Sequence, residues 1–255
     1  MRSSARIAAA FAAARDYDGH AAVQRRVATG LAVRIAALPL PPAPRVLEIG
    51  CGTGFLTAAL RDQGLGGRWL VTDLAPAMVA RCRDRLGDGA GRTFAVLDGE
   101  HGPRPAAAPF DLICASLAFQ WFSALEPAVA RLLGWLAPGG HLIFTTLGAG
   151  TFSEWRAAHR AEGLAPGTPP FLQPEALADL LPARQAAPPL VTLELAEHAD
   201  AGAFLRGLKA IGAGTPHSDH RPLPPAALRR VMARFTRDGA RATYEVITCH
   251  YRSEP

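Results

Sequence analysis

Lysine is almost missing from this 255-residue chain: Lys209 is the only one, and arginine carries nearly all the positive charge. GC-rich coding produces that bias by itself, so the formal net charge of +5 assigns no partner. There is no run of Lys and Arg interleaved with aromatics, the usual footprint of a nucleic-acid surface. No apolar stretch approaches the ~20 residues of a membrane span. The alanine-rich start is broken by Arg2, Arg6 and Arg15 and lacks the order of a signal peptide. It reads instead as an amphipathic helix with Ile7, Phe11 and Ala14 on one face. Cys51, Cys82, Cys114 and Cys249 form no close pair, and no histidine stands at metal-ligand spacing. Reduced, buried thiols and no metal are therefore expected. Together these absences predict a cytoplasmic protein that engages neither nucleic acid nor membrane.

With 49% hydrophobic and 19% charged residues, the chain can bury a sizeable core. Residues 1–38 read as helical, punctuated at Asp16–His20, and the proline-rich stretch Pro39–Pro44 works as a stiff hinge. Beyond it, apolar runs alternate with helical stretches. The runs are Val46–Ile49, Arg68–Asp73, Thr93–Asp98, Phe110–Ser116 and His141–Thr146. The helices lie near Leu56–Gln63, Pro76–Leu86 and Ala124–Leu136. That alternation predicts βαβ units and a parallel sheet. Two later runs, Val191–His198 and Arg241–Arg252, complete seven strands and are expected to lie antiparallel at the sheet edge. Helices at Thr151–Glu162, Pro174–Leu181, Ala201–Ile211 and Ala226–Arg237 surround them.

The strongest motif is Glu48-Ile49-Gly50-Cys51-Gly52-Thr53-Gly54, directly after the first strand. Glycines there let the backbone turn sharply and let a ligand approach. Nineteen residues past Gly54 the second strand ends at Asp73, where doubly wound sheets place an acid against ribose hydroxyls. The glycine spacing is G-x-G-x-G, not the dinucleotide G-x-G-x-x-G, and Glu48 precedes it. A carboxylate at that point repels a diphosphate, which counts against a nicotinamide-dependent oxidoreductase. It suits the cationic amino-acid end of S-adenosylmethionine.

Spacing and acid together resemble motif I of the Rossmann-like methyltransferases. The resemblance implies S-adenosylmethionine as cofactor and S-adenosylhomocysteine as product. It also implies a doubly wound α/β fold with a seven-stranded sheet, an N-terminal helical lid and a helical insertion before the last strands. On this reading residues 1–40 form the lid and 41–255 the methyltransferase domain, with substrate-side insertions at about 148–188 and 200–237. Leu74, beside Asp73, joins the cofactor set. Asp98 and Gly99 match the position that meets the adenine, and Ser116 and Leu117 match the approach to the methionine part. Taken singly, each glycine or acid would serve equally as a turn residue or helix cap.

Longer stretches resemble a narrower family. Tyr17–Gln24 (Y-x-x-H-A-x-x-Q), SLAFQWF, FTTLGAGTFSEWRAAH, FLQPEAL, Arg206–Ala213 (R-x-L-K-x-I-G-A) and the ending TYEVITCHYR are similar to the malonyl-carrier-protein O-methyltransferases of the biotin pathway. The resemblance runs from near residue 6 to near 252. It implies methylation of the free carboxylate of a malonyl thioester held on acyl carrier protein. Such a carboxylate is already ionised at neutral pH, so no base and no triad is needed. Arg206 and Lys209, one turn apart on one helix, are the candidates for capturing it; the same pair would serve as a solvated basic face. By resemblance, Tyr17, His20 and Gln24 belong to the lid over cofactor and substrate. Phe119, Gln120, Trp121 and Tyr244 are candidates to line the acceptor site, Phe119 and Trp121 being equally good core aromatics. Arg230, Arg234 and Arg237, with Arg221 before them, are candidates for meeting an acidic carrier. The alternative is a methyltransferase acting on a free small acid or another small acceptor.

Overall fold

The computed structural model describes residues 4–89, 91–213 and 222–254. Helix α1 (Ser4–Ala13), the single turn α2 (Tyr17–His20) and α3 (Ala22–Ala36) precede the first strand, β1 (Arg45–Ile49). There follow α4 (Phe55–Asp62), β2 (Arg68–Asp73), α5 (Pro76–Leu86), β3 (Arg92–Val96) and β4 (Phe110–Ser116). Then come α6 (Leu125–Leu133), β5 (Leu136–Leu147), α7 (Ser153–Ala161), α8 (Pro174–Ala178) and β6 (Gln185–Glu197). Helices α9 (Ala201–Ala210) and α10 (Pro225–Arg237) lead into β7 (Arg241–Arg252). The sheet order is β3-β2-β1-β4-β5-β7-β6, with β7 antiparallel to both of its neighbours. The expected doubly wound α/β fold is therefore present. Its strand order reverses between β1 and β4, the place where such sheets open a crevice at their carboxyl ends.

Side-chain alternation along each strand builds the two main cores. On β4, Leu112 and Cys114 face the layer of α3, α4 and α5, while Ile113 and Ala115 face the layer of α6 and α8. A third core forms over the face of β7, where Trp155, Phe204, Val231 and Phe235 from α7, α9 and α10 pack on Tyr244 and Val246. Asp200 caps α9 by accepting the Ala203 N–H at 2.7 Å, which sets where that helix starts over the site. All four cysteines are free and buried, and no cluster of metal-binding side chains occurs among the described residues.

Three boundaries differ from the sequence reading. Strand β3 stops at Val96, leaving Asp98 in the loop beyond it. Helix α6 ends at Leu133, and β5 runs through Pro138-Gly139-Gly140 because a register slip between Phe110 and Leu112 and a φ of +70° at Gly139 absorb the proline. Strand β6 begins at Gln185 and carries Pro188 and Pro189, tolerated because it lies on the sheet edge with slipped register there.

Candidate active site

The glycine turn after β1 is hooked onto the end of β2. The Cys51 N–H donates to the Thr72 carbonyl (2.8 Å) and the Gly52 N–H to Asp73 Oδ2 (2.9 Å). Gly50 has φ +71°, and a Cβ there would stand 2.5 Å from the Cβ of Ala118. Gly52 has φ +54°, and a Cβ there would meet nothing nearer than the Tyr17 hydroxyl at 4.0 Å. One glycine thus admits the neighbouring loop and the other leaves backbone open to a ligand. Gly54, left-handed and buried, caps α4 beside Cys82, behind the turn. Across the crevice Leu117, a non-glycine residue, is held at φ +50°, its N–H bonded to the carbonyl and the hydroxyl of Thr145. Strain of that kind is kept where a backbone must be aimed.

A cleft of about 220 Å³ runs along these strand ends, bounded by Gly50, Gly52, Asp73, Leu74, Asp98, Gly99 and Ser116. Asp73 Oδ1 also takes the Ala75 N–H at 2.8 Å, and burial raises its carboxyl above the ordinary range. Asp98 turns its own loop, accepting the Glu100 and His101 N–H groups, and receives the Ser4 hydroxyl at 3.2 Å. A small cavity of about 30 Å³ continues behind the turn to Glu48 and Gln24. Glu48 is 1% exposed and accepts the Thr57 hydroxyl at 2.5 Å; burial pushes its carboxyl up to about 7. Among the described residues lining cleft and cavity there is no Lys or Arg, so a pyrophosphate would find no counter-charge. Three carboxylates spaced along an apolar slot fit an ammonium, a ribose and an adenine. The residues present therefore fit S-adenosylmethionine and disfavour a dinucleotide.

The N-terminal helices roof the cleft. Phe11 meets Trp121 edge-on (5.4 Å between centroids), and Arg81 donates to the carbonyls of Ala14 (2.5 Å) and Ala12 (3.3 Å). Asp18 accepts the Thr53 hydroxyl at 2.6 Å and pairs with Arg85. Tyr17 consequently lines the cleft, the Glu48 cavity and a further chamber of about 60 Å³. That chamber shares Phe152, Pro169, Leu208 and Ala213 with an outer trough of about 900 Å³.

Residues 46–140 match the family described as a methyltransferase domain. The chain is 39% identical to a malonyl-[acyl-carrier protein] O-methyltransferase of Magnetococcus marinus, over 96% of this chain and 92% of that one. It belongs to the malonyl-[acyl-carrier protein] O-methyltransferase family. A biotin biosynthesis bifunctional protein BioCD of Bordetella avium is 46% identical over 94% of this chain, which spans 50% of that longer protein. Among solved structures, a Bacillus halodurans protein described as a putative methyltransferase shares the fold at 12% identity (TM-score 0.62, 89% of this chain and 99% of that one).

The remaining family-motif residues fall into distinct places. Trp121, Gln120, Gln24, Tyr17 and Tyr244 meet in the chamber. Phe119 does not: it is 1% exposed and stacks between Phe122 and Phe144 in the core. Arg206 and Lys209 line the outer trough and are exposed, away from the chamber. His20 lines none of the four cavities and pairs with Asp16 Oδ2 at 3.2 Å. Arg230 and Arg234 both hold Glu162, at 3.0 and 3.2 Å, while Arg237 is exposed. Arg221 lies outside the described residues. Asp18, Phe152 and Phe171 escaped the sequence reading, because the contacts that matter join them to segments distant in the chain.

Proposed function

We propose that this chain transfers a methyl group from S-adenosylmethionine to the free carboxylate of malonyl-acyl carrier protein, giving the methyl ester used in biotin synthesis. One observation carries the reading. Cleft, chamber and trough lie in series, Tyr17 walls the first two, and the trough is wide enough for a tethered acyl arm rather than only a free small acid.

S-Adenosylmethionine supplies an electrophilic methyl on a sulfonium. Glu48 would hold its ammonium, Asp73 the ribose and Asp98 the adenine. Ser116 and the strained Leu117 backbone border the methionine part. Tyr17 closes the wall between cofactor and acceptor. A malonyl carboxylate reaches the chamber ionised, so the residues around it need only exclude water and align one oxygen for in-line displacement. Arg206 and Lys209, at the trough, suit the anionic carrier side of the acceptor better than its carboxylate. No helix among the described residues is long and apolar enough to cross a membrane, and we place the reaction in the cytoplasm.

The test is mass spectrometry of malonyl-loaded acyl carrier protein after incubation with the chain and S-adenosylmethionine. Gain of one methyl, absent with unloaded carrier, is expected. No gain, with cofactor binding intact by calorimetry, would move the acceptor to a free small molecule.

A further inference from the structure

The chamber between cleft and trough has an unusual lining for a site that must receive an anion. None of the described residues around it carries a charge. Its walls are largely apolar, with Phe152 and Phe171 among them. Tyr244 is 6% exposed and meets Phe152 edge-on at 4.9 Å, yet its hydroxyl has no hydrogen-bond partner among the described residues. Gln24 lines the same chamber and its amide likewise bonds to nothing among them. Gln120 differs: its amide nitrogen donates to the Leu117 carbonyl at 2.5 Å, and its buried, unpartnered Oε1 is an acceptor, which cannot bind a carboxylate. Neither the Tyr244 hydroxyl nor the half-buried Gln24 amide is among the polar atoms sealed from solvent, so a ligand entering the chamber can supply the missing partner. Burial pushes the Tyr244 phenol up to about 12, so it remains a donor at neutral pH.

We propose that Tyr244, together with Gln24, holds the acceptor carboxylate through neutral hydrogen bonds, with no cation among the described residues that line the chamber. The inference rests on the carboxyl-methylation reading above and names the groups that would touch the substrate. A lone pair of one carboxylate oxygen forms the new C–O bond to the methyl carbon. The C–S bond breaks, and its electron pair stays on sulfur. No proton moves, so Tyr244 is a donor before and after transfer. Neutral donors leave the oxygen more nucleophilic than an arginine pair would. They also favour release, because a hydrogen bond to a charged acceptor is about twice as strong as one to the neutral ester.

The experiment uses the full chain with S-adenosylhomocysteine bound. Affinity is measured for malonyl-loaded carrier and for its methyl ester, in wild type, Tyr244→Phe and Gln24→Met, alongside kcat/KM for transfer. Expected for each variant is a roughly 10- to 100-fold loss toward the carboxylate form with ester binding unchanged, and for Tyr244→Phe, which borders neither the cleft nor the Glu48 cavity, unchanged S-adenosylhomocysteine binding as well. An equal loss for acid and ester, or no loss in either variant, overturns the proposal while leaving the reaction standing. Wild type that transfers no methyl to malonyl carrier overturns the reading and this inference together. If Tyr244→Phe does not fold, Gln24→Met decides.

Discussion

The hydroxyl of Thr53, inside the glycine turn, donates to Asp18 of the N-terminal roof at 2.6 Å across 35 residues of chain. Arg85 holds the other oxygen of the same carboxylate. The roof is thus fastened to the turn that cradles the ligand, and Tyr17 sits directly before the fastening residue.

Asp18→Ala should therefore loosen the roof without unfolding the sheet. A half-exposed charged contact of this kind is worth about 1 kcal/mol, so cofactor affinity should fall roughly fivefold. Calorimetry reads the affinity, and hydrogen exchange over residues 4–20 reads the roof. Unchanged exchange would show that the roof is held by Phe11 and Arg81 alone.

Glu48 couples cofactor binding to pH. Its carboxyl is raised by burial from 4.5 to about 7 in the folded chain, so this group's contribution to stability is fully present below 4.5 and is lost as pH rises through 7. A cationic ligand selects the ionised form, so affinity should climb about tenfold per pH unit up to 7 and level off above it. Glu48→Gln should abolish that slope, weaken binding and stabilise the ligand-free protein at pH 8, on the order of 2–3 kcal/mol. Calorimetric titrations from pH 5.5 to 8.5 decide it.

His250 gives an independent acid response, at the opposite end of the strands from the cleft. It lies 2.9 Å from His141, and burial, with His141 and Arg252 adding to it, lowers it from 6.5 to about 4. A depressed base contributes stability present above 6.5 and lost as pH falls toward 4. Urea unfolding of His250→Gln should show a shallower decline between pH 6.5 and 4 than wild type. An identical slope would assign the acid sensitivity elsewhere.

Arg206→Gln with Lys209→Gln should lower kcat/KM for carrier-bound substrate about tenfold at low salt, and much less at high salt. Arg230→Gln should do less, because Arg230 is already paired with Glu162. Steady-state rates at two ionic strengths separate these. Equal losses would move the carrier's landing face onto α10.

Much of the fold was legible because its signals are local. Short apolar runs, the first stopped by Gly50, marked β1, β2 and β4 to within a residue, and the G-x-G-x-G turn with its preceding acid announced the cofactor end. The start of β5 was not legible, since Pro138 and Gly139 read as a loop and only pairing with β4 through a bulge makes them strand. Phe119 and Trp121 show the same limit. Two residues apart in one motif, one is sealed in the core against Phe144 and the other borders the cleft against Phe11.

By itself the sequence determined the fold class, the cofactor chemistry and the family, because each rests on residue types at short, regular spacings. Only the tertiary structure decided which family-motif side chains share a cavity. Tyr17, Gln24 and Tyr244 meet at one chamber while Arg206 and Lys209 line the trough beyond it. Those relations are set by how α1, α9 and β7 pack across the sheet ends, a matter of distance in space that spacing along the chain does not encode.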